Sequence, residues 1–250
     1  MKLANASVPL KRILIEFLVL FSAVTLSFLA EDLREYLGDR RDEIELLERL
    51  VLDLEADAHF IRVAALPIDR RAEVAGVWLQ ENWSRRNLPV DSLDWAAHGL
   101  LRGITFAPSR TEYEAAKSSG RLELIQNREL LRQISTHYEQ THAVMEDVTT
   151  LNLDAHLEWV ESIRPYVNYA STFSHSVDLR LDPANTTLGD EWPATSISDN
   201  WSAMQNNNSM RAMLVETNTL RRLTVAWQEV NLAETTALLE ALEAELIERR

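Results

Sequence analysis

The segment ILIEFLVLFSAVTLSFLA, residues 13–30, constrains this chain more than any other: it holds eighteen residues and one charge, Glu16. As a helix it is roughly 27 Å long at ~1.5 Å per residue, close to the ~30 Å hydrocarbon core of a bilayer. A core helix of a soluble bundle carries a polar face. Here Ser22, Thr25 and Ser27 are the neutral polar residues, and they form no stripe with Glu16. A cleaved export signal ends in small residues, yet Phe28 stands two before Ala30, where a small one is wanted. The segment therefore predicts a retained transmembrane helix.

Its flanks predict an orientation. Residues 1–12 contain Lys2, Lys11 and Arg12 and no acid, whereas the other flank opens with Glu31 and Asp32. The positive-inside rule gives a cytosolic N-terminus at 1–12 and an extracytoplasmic body at 31–250, periplasmic for a bacterial inner membrane. Glu16 lies about one turn inside the span. Arg12, four residues before it, is the expected partner on the same helix face.

The body is expected to be all-α. Leu, Ala, Glu and Arg dominate, and there are only 6 glycines and 7 prolines in 250 residues; the four abundant types favour helix. From Ile44 the apolar positions Ile44, Leu47, Val51, Leu54, Ala58 and Ile61 alternate by three and four, a heptad seam. Leu33 and Leu37 extend it backwards, Arg40 interrupts it, and Gly38 reads as a hinge. The first helix is expected to end near Leu66, with Pro67 opening a second one that covers 68–83. A helix capped by Asp91 or Ser92 runs to about Leu101. Another starts at Ser109 or Thr111 and breaks at Ser118-Ser119-Gly120. A long helix follows over about 128–163, and Pro165 disturbs its end. Residues 171–198 contain two prolines, a glycine and many short polar residues, and read as an irregular loop. A last long helix starts near Asp199 or Asn207, with Leu220, Leu223, Trp227, Val230, Ala237 and Ala241 as its apolar stripe. The predicted architecture is an up-down bundle whose first helix is the N-terminal transmembrane helix prolonged.

Three stretches of this text resemble an uncharacterised family of bacterial single-pass membrane proteins. They are the span with Glu16 near its start followed by ELLERLVLDLEAD, the turn-and-helix text SSGRLELIQNRELLRQISTHYE, and the Asn-rich NNNSMRAML that opens the last helix. The chain departs from that pattern at the outer end of the span, where the text is AEDLREY rather than Trp-containing. The resemblance implies the same architecture and carries no activity.

Several function classes are disfavoured. Without cysteine there is no disulfide, thiolate metal site or Cys nucleophile. The net charge is −14, and the 220 residues after Ala30 account for −16; phosphates would be repelled, so nucleic acid is not an expected partner. No phosphate-binding Gly-rich loop, serine-hydrolase elbow or His-Glu-x-x-His is present. Glu139 and His142 form one Glu-x-x-His pair, but a di-iron bundle needs two such pairs. His137 and His142 are five apart and are not expected to share a face, so both read as surface residues. No catalytic, metal or cofactor-binding residue is assigned.

What remains is a non-enzymatic, membrane-anchored structural or assembly subunit that braces a larger complex of integral membrane proteins, respiratory, secretory or photosynthetic. The alternatives are a periplasmic ligand-binding or sensor module acting through a partner, and an enzyme with an unrecognised site. The expected partner-binding residues are Glu16, Ser22, Ala23 and Ser27 in the span, where small side chains permit close helix approach, and Trp192 and Trp201 beside the irregular loop. Self-association through the heptad seams is a further expectation.

Overall fold

The structure is a computed structural model that describes residues 10–101, 103–104, 106–167 and 197–249. Most of the predicted loop, including Trp192 and His175, lies outside the described residues. Among the described residues there are helices and turns and no strand. Helix α1 covers Leu10–Phe60 and α2 Leu66–Asn82; α3 is Val90–Leu100, α4 Thr111–Ser118, α5 Arg128–Thr136 and α6 His142–Ile163. A short α7, Trp201–Gln205, precedes α8, Asn208–Arg249.

The helices make four legs, up-down-up-down. The shared clusters of buried residues fix the directions. Toward the apolar N-terminal segment, Leu46, Leu50 and Leu54 of α1 meet Tyr113 of α4, Leu130 and Ile134 of α5, and Leu238 and Leu242 of α8. In the middle, Ile61 and Ala65 meet Phe106 and Met145. At the far end, Leu79 and Trp83 meet Leu93 and Leu100 of α3, Trp159 and Ile163 of α6, and Met210 and Leu214 of α8. The first and third legs therefore climb, α8 descends, and α3, the non-helical stretch 106–110 and α4 form a broken descending second leg. The expected bundle class is correct.

The first leg differs in detail from the expectation. Pro67 does not open a separate helix. A π-turn over Ile61–Ala65, in which the Leu66 N–H reaches back to the Ile61 carbonyl, joins α1 to α2. Proline lacks an N–H and crowds the carbonyl four residues earlier. A widened turn just ahead of it absorbs that mismatch, and one helical rod runs on to Asn82. Gly38 lies inside α1 and is no hinge. The start of α3 also shifts: it begins at Val90 after Pro89, not at an Asp91 or Ser92 cap. Asn127 does cap α5, its Oδ1 accepting from the Leu130 N–H at 3.1 Å. The break after α4 falls at Gly120, whose φ of 76° favours glycine.

A larger difference concerns α8. The stripe expected to be its core, Leu220, Leu223, Trp227, Val230, Ala237 and Ala241, is half-buried or exposed. The buried stripe is Met210, Leu214, Thr217, Arg221, Thr224, Gln228, Asn231, Thr235, Leu238, Leu242 and Glu245. It keeps the three-four spacing throughout but is apolar only at its ends. The physical reason is register: the end clusters dock α8, and the polar residues between them are carried inward with the helix.

Both ends of the body are tied by polar contacts. Near the span, Arg249 holds Glu245 at 2.7 Å and lies 3.6 Å from the buried Glu43, while Arg40 donates to the Arg249 carbonyl at 2.7 Å. At the far end the Trp201 indole donates to the Arg85 carbonyl at 3.1 Å and meets Trp83 edge-on. Trp201 is thus a core residue here, 3% exposed.

Close packing of α2 on α8 depends on Gly76. A Cβ at that position would lie 1.7 Å from Asn218 Oδ1, in the buried interface. Gly76→Leu is expected to destabilise the fold by about 1–3 kcal/mol through overpacking, read as a lower midpoint in thermal unfolding followed by circular dichroism. An unchanged midpoint would show that the two helices do not meet there.

Candidate functional site

Between the two apolar ends, buried polar residues flank the small middle cluster of Ile61, Ala65, Phe106 and Met145. They form two layers, and residues from several legs build each.

The lower layer surrounds a second π-turn, His137–Thr141, in which the His142 N–H reaches back five residues to the His137 carbonyl. That wider coil stacks residues five apart. It brings the rings of His137 and His142 to 4.4 Å between centroids, and both side chains are buried. The expectation of two surface histidines on different faces is therefore wrong, because it assumed an unbroken α-helix over 128–163. Such one-turn bulges recur at functional sites.

Around this pair, His142 Nε2 lies 3.9 Å from Asp57 Oδ2, too long for a hydrogen bond. Asp57 instead accepts the Ser109 N–H at 3.0 and 3.2 Å on its two oxygens. Ser109 thus leaves its expected capping role, and the break in the second leg supplies a backbone donor to the interior. Tyr138 stacks on Tyr113, with centroids 4.6 Å apart. The Tyr113 hydroxyl and Lys117 each donate to Glu139 at 2.7 Å. Glu139 therefore faces outward with its partners rather than toward His142 as a metal pair would. Both nitrogens of His137 and of His142, and the Tyr138 hydroxyl, lack a hydrogen-bond partner.

Burial sets the protonation states. It pushes the Asp57 carboxyl up to about 7, with neighbouring Asp53 adding to the shift and the Ser109 N–H opposing it. It pushes His137 down to about 4. It pushes His142 down to about 3, helped by His137 and Arg110. At neutral pH both imidazoles are uncharged, and each offers one donor and one acceptor.

The upper layer lies between α2, α6 and α8. Gln228 donates to Asp69 Oδ2 at 2.7 Å. Arg221, with no exposed surface, lies 3.1 Å from His156 Nδ1. Burial raises Asp69 to about 6 against the opposing pull of Gln228 and Arg221. It also lowers His156 to about 4, with Arg221 contributing. Arg221 is a permanent cation, so the unshared ring nitrogen of His156 is what it meets.

The sequence reading assigned none of Asp57, Asp69, His137, His142, His156 and Arg221. The signal that could have found the α8 members is spacing: Met210 and Leu214 at one end and Leu238 and Leu242 at the other set one register, and Arg221 and Gln228 fall on it. Of the residues that were assigned, Glu16, Ser22, Ala23 and Ser27 are exposed on α1, far along the chain from both layers. The Ser27 hydroxyl donates to the Ala23 carbonyl at 2.9 Å within its own helix. Trp201 is buried in the far apolar cluster. The seam from Ile44 to Ile61 packs inside the chain's own bundle. Among the described residues no group of three His, Asp or Glu side chains is placed to hold a metal ion. Compared with known protein families, characterised proteins and solved structures, the chain matches none.

A raised folded-state carboxyl contributes stability at low pH that is lost as pH rises. For Asp57 the loss spans about pH 4 to 7. Asp57→Asn keeps an acceptor for Ser109 and cannot ionise. The variant is expected to be more stable than the parent above pH 7 by at least ~1 kcal/mol, or roughly 2–4 °C, with a flatter dependence between pH 4 and 7. Thermal unfolding across that range is the measurement. A variant that tracks the parent at every pH would mean that Asp57 is charged and solvated in the fold.

Proposed function

We propose that this protein is a non-enzymatic, membrane-anchored assembly subunit: α1 crosses the inner membrane of a bacterium and packs on helices of integral membrane proteins, and the bundle stands in the periplasm. One observation carries this reading. Among the described residues one helix is long and apolar enough to cross a membrane, and none of its apolar window is covered by the rest of the chain. Phe17, Leu20, Phe21, Leu26 and Phe28 are each at least 60% exposed. A stripe this large must be covered by something else, lipid or protein. Exposed Leu33, Tyr36 and Leu37 extend it beyond the expected span.

Small residues support helix contact within the bilayer. Thr25 and Ser27 turn their hydroxyls onto carbonyls one turn back, so neither leaves a polar atom without a partner. Ser22, Ala23 and Ser27 then give a low surface against which another helix can lie closely. The absence of a break between span and bundle supports a brace, since one rod fixes the body relative to the membrane-embedded partner.

A second reading, an extracytoplasmic ligand-binding module, is favoured by the two buried polar layers. Bundle cores are where facing helices build ligand sites, and a wholly apolar interior would serve a passive brace better.

Extraction in mild detergent followed by gentle crosslinking tests the first reading. The expected product is a complex with larger integral membrane proteins. A lone monomer after crosslinking would count heavily against it. A reporter fused after Arg250 tests orientation: activity on the periplasmic side is expected, and activity confined to the cytosol overturns it.

A further inference from the structure

The first leg carries one stripe that is buried above and exposed below. Within the bundle Glu43, Leu47, Leu50, Leu54, Asp57 and Ile61 are all buried, at three-four spacing. The same spacing traced backwards gives Arg40, Tyr36, Leu33, Leu29, Leu26 and Ser22. Nothing interrupts α1 along this length, so the two runs are one face of one helix. Below Arg40 that face lies open, from 47% exposed at Tyr36 to 65% at Leu26.

The end of α8 marks the change. Arg40 donates to the Arg249 carbonyl at 2.7 Å, and Arg249 lies 3.6 Å from Glu43. Arg249 is the last described residue of α8. Thus α8 reaches down the stripe as far as Arg40, and from Tyr36 to Ser22 the stripe runs on for about 21 Å without a helix against it. Lipid alone does not account for it, because lipid meets every side of a helix alike. Leu33 and Tyr36 lie past the apolar segment, among Glu31, Asp32, Arg34 and Glu35, and all four of those charges fall off the stripe. An apolar face kept clear of charge outside the hydrocarbon needs a protein cover.

A second copy does not fit that face. Its α1 is also unbroken, so a parallel copy packed along the stripe to Tyr36 would rise past Arg40 into the place that α8 fills. Its own α8 would claim the same gap. Self-association through this seam is therefore disfavoured, and the occupant is a helix that stops or turns at the level of Arg40.

We propose that Ser22, Leu26, Leu29, Leu33 and Tyr36 receive a membrane-spanning helix of another protein whose outer end stops beneath α8. The inference rests on the anchored reading and adds to it the face used and the shape of the partner. The partner helix continues the line of α8 into the bilayer, at the 8–10 Å axis spacing usual for packed helices. Ser22, the small residue of the stripe, admits the closest approach. Leu29, Leu33 and Tyr36 supply larger side chains toward α8.

A photo-crosslinking amino acid placed singly in the full chain, in the membrane of the cells that make it, tests the proposal. Positions Leu29, Leu33 and Tyr36 lie on the stripe, and Glu31 and Glu35 lie on the opposite side of the same helix. The three stripe positions are expected to capture one and the same other protein, through a peptide at the end of one of its membrane-spanning helices, at least about ten-fold above Glu31 and Glu35. The double variant Leu33→Asn, Tyr36→Asn is expected to lower co-purification of that protein about ten-fold. Both side chains lie below the bundle, so its thermal midpoint should match the parent's. Capture of a second copy, equal yields on both faces, a captured peptide from outside the membrane-spanning helices, or full recovery of the partner by the double variant would each overturn the proposal. Alkaline carbonate extraction separates the two readings: release of the chain sinks the anchor and this inference together, whereas retention with no capture from the stripe sinks this inference alone.

Discussion

A buried arginine on α8 sets the terms for the rest of the bundle. Arg221 cannot shed its charge, and it sits with no exposed surface in the interior. Every facing leg must therefore present something polar or something small. His156 of α6 offers a ring nitrogen, Asp69 of α2 supplies negative charge nearby, and Gly76 lets Asn218 come up against the backbone of α2. The second leg is not helical over residues 106–110, and the freed N–H of Ser109 serves Asp57 in the layer below. A continuous fourth helix would have kept that donor for itself.

The same stripe fixes register. Contacts between leucines at the two ends of α8 would by themselves tolerate an altered pairing, because which leucine meets which matters little. The middle would not. A slide of seven residues would carry Arg221 toward the cluster of Leu79, Trp159 and Leu214 and strand it without polar contact, at a penalty of several kcal/mol. Apolar clusters hold the bundle together, and the polar layers between them determine how the helices align.

Much of this architecture was legible in the text, and the misses share one cause. Helix-rich composition, scarce glycine and proline, the long three-four spacing and the break at Gly120 all led to the right class. The long apolar segment at 13–30 was legible because no polar stripe relieves it. The site was not, because hydrophobic periodicity finds faces only where core residues are apolar. On α8 it selected Leu220, Leu223 and Val230, which the fold leaves half outside. On the third leg a regular 3.6-residue coil was assumed, and one extra residue in the turn at His137–Thr141 rotated His142 into the core beside His137. Nothing local in HYEQT announces that turn; it exists because the layers above and below it both have to be met. Pro67 was the converse case, a recognised breaker overruled by a widened turn.

The uninterrupted first leg makes the molecule a lever. From the end of the apolar segment to Asn82 the rod is roughly 78 Å long at ~1.5 Å per residue. Membrane helices differ in tilt by tens of degrees with bilayer thickness and neighbouring helices. A change of only ~10° at the span would sweep the far end of such a rod sideways by roughly 13 Å. Under the proposed anchoring, whatever sets the tilt of the apolar segment also sets which point above the bilayer the tryptophan-rich end of the bundle can touch.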